Sequence, residues 1–326
     1  MSKSTDQTKP FYHMCAALAL CSMFITAIPA LAQEAEPAAP EYMGMGANIC
    51  LGCHGPGSSK PVHEQSHSAL ALRIETDAPV DADKLQCEAC HGPSKAHVMA
   101  GGQSPVGNLF NAAMSSEEKN AACLGCHETG ELFHWPGATH NIEDVACVDC
   151  HQVHAAEDPV RVVETQTEVC FQCHKEQRAQ FLRQSRHPVQ AAANAYSHTG
   201  LLACTDCHNP HGSDGPAQLK RSTVNETCYD CHAEKRGPFL WEHAPVGEDC
   251  SNCHTPHGSN YPNLLVGRTP WLCQQCHSTP FHPSTAYSGI DLPPESIDQR
   301  VVGKDCMNCH QKVHGSNHPS GIRLTR

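Results

Sequence analysis

Aromatic residues make up only 5% of this 326-residue chain and charged residues 17%, so neither ring packing nor ion pairing is plentiful. Basic residues are scarce: Lys and Arg total 22 against 34 Asp and Glu, a formal charge of −12 with His neutral. That balance argues against general attraction to nucleic acid or anionic lipid and favours a basic partner surface. After residue 33 no run reaches the roughly 18 consecutive apolar residues of a transmembrane helix. Long uninterrupted elements are missing too, because 23 Gly and 24 Pro break almost every stretch. Something other than side-chain packing has to hold such a chain together.

The first 32 residues read as an export signal. Lys3 and Lys9 precede an apolar stretch from Met14 to Ile28, and Ala30-Leu31-Ala32 supplies a small-residue cleavage site. Cleavage after Ala32 is expected, with the mature chain starting at Gln33 and residues 33–46 forming an N-terminal extension. A retained anchor would want a span of about 20 residues, longer than this one. Lipid attachment at Cys21 would want a small residue before it, where Leu20 stands.

What is abundant is cysteine and histidine, 22 and 25 residues. Cys15 and Cys21 leave with the signal; every other Cys falls in a C-x-x-C-H string. The first half holds Cys50/Cys53/His54, Cys87/Cys90/His91, Cys123/Cys126/His127, Cys147/Cys150/His151 and Cys170/Cys173/His174. The second half holds Cys204/Cys207/His208, Cys228/Cys231/His232, Cys250/Cys253/His254, Cys273/Cys276/His277 and Cys306/Cys309/His310. Each is a c-type haem attachment site: two thiols three residues apart reach the vinyl groups of one porphyrin, and the adjacent His lies beneath the iron. Disulfide scaffolds and structural zinc also use paired cysteines, but neither requires His next. Ten such His by accident is a chance on the order of 10⁻¹¹. Ten covalently bound haem c groups are therefore expected.

The remaining His suffice for a sixth ligand at each iron. His97, His154, His211, His257 and His314 follow the even-numbered motifs closely, while His67, His140, His187, His243 and His282 follow the odd ones at longer range. That alternation makes a pair of motifs the repeating unit, used five times across residues 47–326. Which of these ten His reaches which iron stays open. His63, His134, His198 and His318 are surplus, and Met43, Met45, Met99, Met114 and Met307 are assigned to packing or surface.

The fold class expected is a multihaem c-type cytochrome: an elongated, mostly irregular chain with short α-helices around a stacked row of ten haems. Ser115 with Glu118, Thr165 with Glu168 and Thr223 with Glu226 match capping boxes ahead of odd motifs, which are expected to begin short helices. After Cys170 the segment KEQRAQFLRQ lacks Gly and Pro and predicts a helix that carries His187 beyond its end. Folding should depend on haem insertion.

The strings CFQCHKEQRAQFLRQSRHPVQ, CYDCHAEKRGPFLWEHAPVGEDC and CMNCHQKVHGSNHPSG resemble those of the decahaem cytochromes of the MtrA, PioA and DmsE type, over roughly residues 47–326. The resemblance implies a periplasmic electron-transfer subunit that enters an outer-membrane β-barrel partner. It would carry electrons between a periplasmic or inner-membrane cytochrome donor and an extracellular multihaem cytochrome or reductase. Residues 55–86 and 278–305 depart most from the family pattern. Independently, an iron held by two His has no open site for substrate, so the residues favour an electron carrier over an enzyme. A multihaem reductase with one open haem, or a diffusing periplasmic electron store, is the competing reading.

Overall fold

The computed structural model describes residues 39–55, 57–61, 86–155, 157–189, 201–277 and 304–326. The expected signal peptide, His67 and His282, and the surplus His63 and His198 lie outside the described residues. From Pro40 onward the chain belongs to one compact unit.

Regular structure comes only in short pieces. Among the described residues the helices are at most nine residues long, Ser116–Leu124 being the longest, and pairing between extended segments is limited to isolated bridges. None of these helices is long and apolar enough to cross a membrane. The buried apolar residues among those described are correspondingly few: Trp135, Ala138, Ala146, Phe171, Phe181, Val189 and Ala203. Burying so little apolar surface cannot offset the entropy of ordering the chain, as the shortage of aromatics already suggested.

Odd motifs close helices rather than begin them. Ser116–Leu124, Val163–Cys170 and Val224–Tyr229 each run into a motif from its N-terminal side. Ser115 and Glu118 form the expected reciprocal box, with Ser115 N donating to Glu118 Oε2 at 2.7 Å and Glu118 N to Ser115 Oγ at 3.2 Å. Thr223 caps its helix by accepting from Glu226 N at 3.1 Å. Thr165 does not cap: its helix already starts at Val163, and its hydroxyl donates to the Pro159 carbonyl at 2.7 Å. Pro159 begins a preceding turn, Pro159–Arg161, that sets the helix start upstream of Thr165.

Even motifs are single turns, each with a nearby acid accepting from backbone N–H groups that the turn leaves without a carbonyl partner. Asp149 and Asp206 accept from Ala146 N and Ala203 N, both at 2.8 Å. Asp249 and Asp305 accept from Ser251 N at 2.7 Å and Met307 N at 2.9 Å. Glu88 accepts from Met43 N and Gly44 N at 2.7 and 2.9 Å, strapping the segment before the first motif to the second. The predicted helix after Cys170 is shorter than its composition allows, Lys175–Gln180, because Phe181 turns inward onto Phe171 and Val189.

Candidate functional site

Each motif is wound so that its functional atoms share one face. The His N–H bonds back to the first Cys carbonyl, as from His174 to Cys170 at 3.0 Å and from His310 to Cys306 at 2.9 Å. Positions i, i+3 and i+4 of a helical turn lie on one side, so both thiols and the imidazole are presented together.

The motifs are neighbours in space in their chain order. First cysteines meet in pairs, Cys50 with Cys87, Cys123 with Cys147, Cys170 with Cys204, Cys228 with Cys250 and Cys273 with Cys306. Between those pairs the second cysteines approach, Cys90 to Cys126, Cys150 to Cys173, Cys207 to Cys231 and Cys253 to Cys276. Burial is the main reason the thiols of Cys50, Cys90, Cys150, Cys207, Cys228, Cys253 and Cys273 are hard to ionise, and it pushes Cys50 up to about 11 and Cys228 up to about 12. Cys123 and Cys170 are instead raised chiefly by hydrogen bonds with Cys147 and Cys204, which are lowered in turn.

Most second cysteines are exposed: of the ten, Cys150 and Cys253 are half-buried, whereas Cys53 and Cys309, in the first and last motifs, are exposed like Cys90, Cys126, Cys173, Cys207, Cys231 and Cys276. His127 keeps the common turn, its N–H on the Cys123 carbonyl at 3.0 Å, and it is exposed, as are His174, His232 and His277. Exposure is compatible with attachment, since a thioether is covalent and holds a haem without needing a buried thiol.

Each motif His whose ring neighbour is described faces a second His from elsewhere in the chain. His54 faces His97 and His91 faces His154, both with ring centroids 6.1 Å apart. His151 faces His211, His174 faces His140, His208 faces His257 and His277 faces His243, each at 6.0 Å. His254 faces His314 at 6.1 Å and His232 faces His187 at 6.4 Å. From the second unit on, the pattern is an exchange between units. The His that follows an odd motif is delivered two motifs forward, and the His that follows an even motif two motifs back. Sequence proximity therefore misleads: His154 lies three residues after His151 yet faces His91. The described second His are all taken up by these eight motifs. The candidates that remain for His127 and His310 are His67 and His282, outside the described residues.

These second His are held by backbone from the neighbouring unit. His140 Nδ1 donates to the Pro210 carbonyl at 2.9 Å, His187 Nδ1 to that of Pro256 at 2.7 Å and His243 Nδ1 to that of Val313 at 3.0 Å. Ser185 with Ser259 and Trp241 with Ser316 form two-way bridges beside them. Gly212 and Gly315, at φ +106° and +133°, follow His211 and His314, and a Cβ there would strike His134 and Phe239. Such close approach with left-handed backbone admits only glycine.

Motif His are oriented in the same way. His54, His91, His208, His254 and His310 donate from Nδ1 to the carbonyls of Lys60, Asn108, Ala217, Asn263 and Arg323, at 2.7 to 3.0 Å. A carbonyl only accepts, so the proton sits on Nδ1 and Nε2 keeps the lone pair a metal needs. Burial, reinforced by the facing ring, holds His154, His174 and His257 below the ordinary imidazole range; burial with Lys235 and His254 does so for His314. The neutral, ligating form is thereby favoured.

The donor set fits haem. Two imidazoles that each place Nε2 about 2.0 Å from one metal have ring centroids roughly 6.3 Å apart, close to the separations seen. Among the described residues no group of three or more His, Cys, Asp or Glu comes together to chelate an ion. Paired imidazoles suit a metal that brings its own equatorial nitrogens, whereas a zinc site takes four protein donors. Trp135 Nε1 is buried with no acceptor from the chain, and its ring packs on His211. Haem propionates would offer such an acceptor.

The surplus His that are described point elsewhere. His134 Nδ1 lies 3.7 Å from an Asp214 carboxylate oxygen, and His318 Nδ1 lies 2.9 Å from the Ser320 hydroxyl. Met114 Sδ accepts from Phe110 N at 3.1 Å, a packing role, and Met45 and Met99 are exposed.

What sequence reasoning missed is a clasp of buried amides. Asn120 is 3% exposed and joins an odd-motif helix to the next even motif, donating to the Val145 carbonyl at 3.2 Å and accepting from Cys147 N at 2.7 Å. Asn225 does the same between Val246 O and Cys250 N, at 2.9 and 2.7 Å. Gln166 joins Val160 O to Thr205 N, at 2.8 and 3.1 Å. Their recurrence three or four residues before Cys123, Cys170 and Cys228 is the signal that could have revealed them.

Short turns that present paired thiols and an imidazole, with a second imidazole opposite, define a multihaem c-type cytochrome, an electron carrier rather than an enzyme. The doubled C-x-x-C-H family matches residues 198–237 and 243–280, and the family of NrfB-like c-type cytochrome proteins matches residues 87–166. The chain is 44% identical over 292 residues to the multihaem cytochrome MtrA of Shewanella baltica, covering 87% of this chain and 83% of that one. It is 25% identical over 123 residues to the cytochrome c-type protein NrfB of Haemophilus influenzae, covering 35% of this chain and 54% of that one. The chain belongs to the MtrA family of multihaem cytochromes.

Proposed function

We propose that the protein is a ten-haem wire that passes electrons across the outer membrane inside a β-barrel partner. The observation that carries the wire is the pairing of motif His with second His along an unbroken series of neighbouring motifs. Each pair clamps one iron, and His67 and His282, outside the described residues, complete the set of ten by serving His127 and His310. Iron saturated by two imidazoles exchanges single electrons with little rearrangement and has no position for substrate. The chain's own contribution is to fix ring orientation through Nδ1 and to keep successive haems adjacent within five two-haem units.

The location and partners rest on the family resemblance together with a physical constraint. Export would be directed by residues 1–32, placing the product in the periplasm. Helices as short as those of the described residues can carry charge through lipid only if another structure shields them, and a closed barrel with a polar lumen does so. Its exchange partners would be a periplasmic or inner-membrane cytochrome on one side and an extracellular multihaem cytochrome or reductase on the other.

Membrane extraction and affinity purification of the full chain test the conduit. It is expected to co-purify with an outer-membrane β-barrel protein; recovery as a free periplasmic protein would favour a diffusing electron store instead.

A further inference from the structure

Five motif His, His54, His91, His208, His254 and His310, share one orienting device, an Nδ1 bond to a backbone carbonyl, and His151 differs from them in its chemistry. His208 and His254 donate from Nδ1 to the carbonyls of Ala217 and Asn263, residues that follow Pro216 and Pro262 with φ of 50° and 56°. The corresponding turn after His151 contains Pro159, but the acceptor is a side chain: His151 Nδ1 lies 2.7 Å from Asp158 Oδ2. Asp158 Oδ1 accepts from Gln152 N at 3.2 Å, and the Asp158 side chain is only 10% exposed. Glu234 lies 3.8 Å from His232 Nδ1, beyond hydrogen-bond reach and exposed, so it does not reproduce this arrangement.

A carboxylate differs from a carbonyl by a full negative charge, weakly screened where water is largely excluded. Bonded to the outer nitrogen of an imidazole, it raises the basicity of the inner one and stabilises the more positive state of a metal bound there. We propose that Asp158 is a positioning residue that, acting through His151, makes the haem clamped by His151 and His211 harder to reduce than those whose motif His, such as His208 and His254, is oriented by a neutral carbonyl. One electron converts iron(III) to iron(II), and the proton stays on Nδ1. This rests on the bis-His reading of that site.

Two variants of the full haem-loaded chain separate the inference from that reading. His211→Ala removes the second ligand and marks this one iron with a high-spin electron paramagnetic resonance signal, whose midpoint can be followed by potentiometric titration. Adding Asp158→Asn keeps an acceptor and a cap but removes the charge. The marked iron is expected to become at least tenfold easier to reduce, a rise of about 59 mV for one electron. With His211 intact, Asp158→Asn should move a single haem's share of the optical titration and leave the remainder superimposable. A high-spin signal in His211→Ala whose midpoint Asp158→Asn does not move overturns the role of Asp158 alone. Absence of any high-spin signal in His211→Ala overturns the bis-His reading and this inference with it.

Discussion

A histidine in this chain is defined by what holds its Nδ1. His140 and His134 stand six residues apart, yet His140 is bonded to the Pro210 carbonyl and faces His174, whereas His134 lies toward the exposed Asp214. His140→Ala is therefore expected to leave one iron five-coordinate and high-spin, while His134→Ala leaves the spectrum low-spin; electron paramagnetic resonance of the oxidised protein checks both. At this scale the motif residues were fully legible, because thioether chemistry fixes their spacing and needs nothing from distant residues. The half-burial of Cys150 and Cys253 among otherwise exposed second cysteines was not, since identical strings carry no mark of their surroundings. The facing partners were not legible either. Their assignment depends on contacts some 70 residues apart, such as His140 to Pro210 and His243 to Val313, which local periodicity does not encode.

Helical turns here are held by polar contacts more than by apolar faces, so their weak points are acids and amides. Asn225→Leu strands the N–H of Cys250 and the carbonyl of Val246, and each buried group left unpaired costs about 1–3 kcal/mol. A lower thermal midpoint with an unchanged haem count is the expected result. Burial alone would raise the Glu88 carboxyl, but hydrogen bonds from the Ser94 hydroxyl and the N–H groups of Met43, Gly44 and Ser94 outweigh it and hold the group below its ordinary range. A depressed carboxylate adds stability above its unfolded value, about 4.3, and loses it as pH falls through the folded one. The thermal midpoints of wild type and Glu88→Gln should thus differ most near neutral pH and converge on acidification below that value. The cap at Ser115 was readable from four letters of sequence, while Thr165 looked identical and was overruled by the earlier turn at Pro159.

At the level of the whole molecule, short helices and a sparse core followed directly from composition. Porphyrin faces are the apolar surface that Trp135, Phe171 and Phe181 are too few to supply. Chain expressed without haem attachment is accordingly expected to be protease-sensitive throughout, and the loaded chain resistant. Pyridine haemochrome assay should return ten groups per polypeptide, and the oxidised protein should show low-spin iron only. The exchange of imidazoles between units also imposes a timetable on biogenesis. Because synthesis runs from the N-terminus, an iron clamped as proposed would stay half-ligated at His91 until His154 has been made, and at His254 until His314 has been made. A chain cut short before its last unit would thus show its lesion one unit upstream of the break, at His254, whose facing imidazole would never arrive.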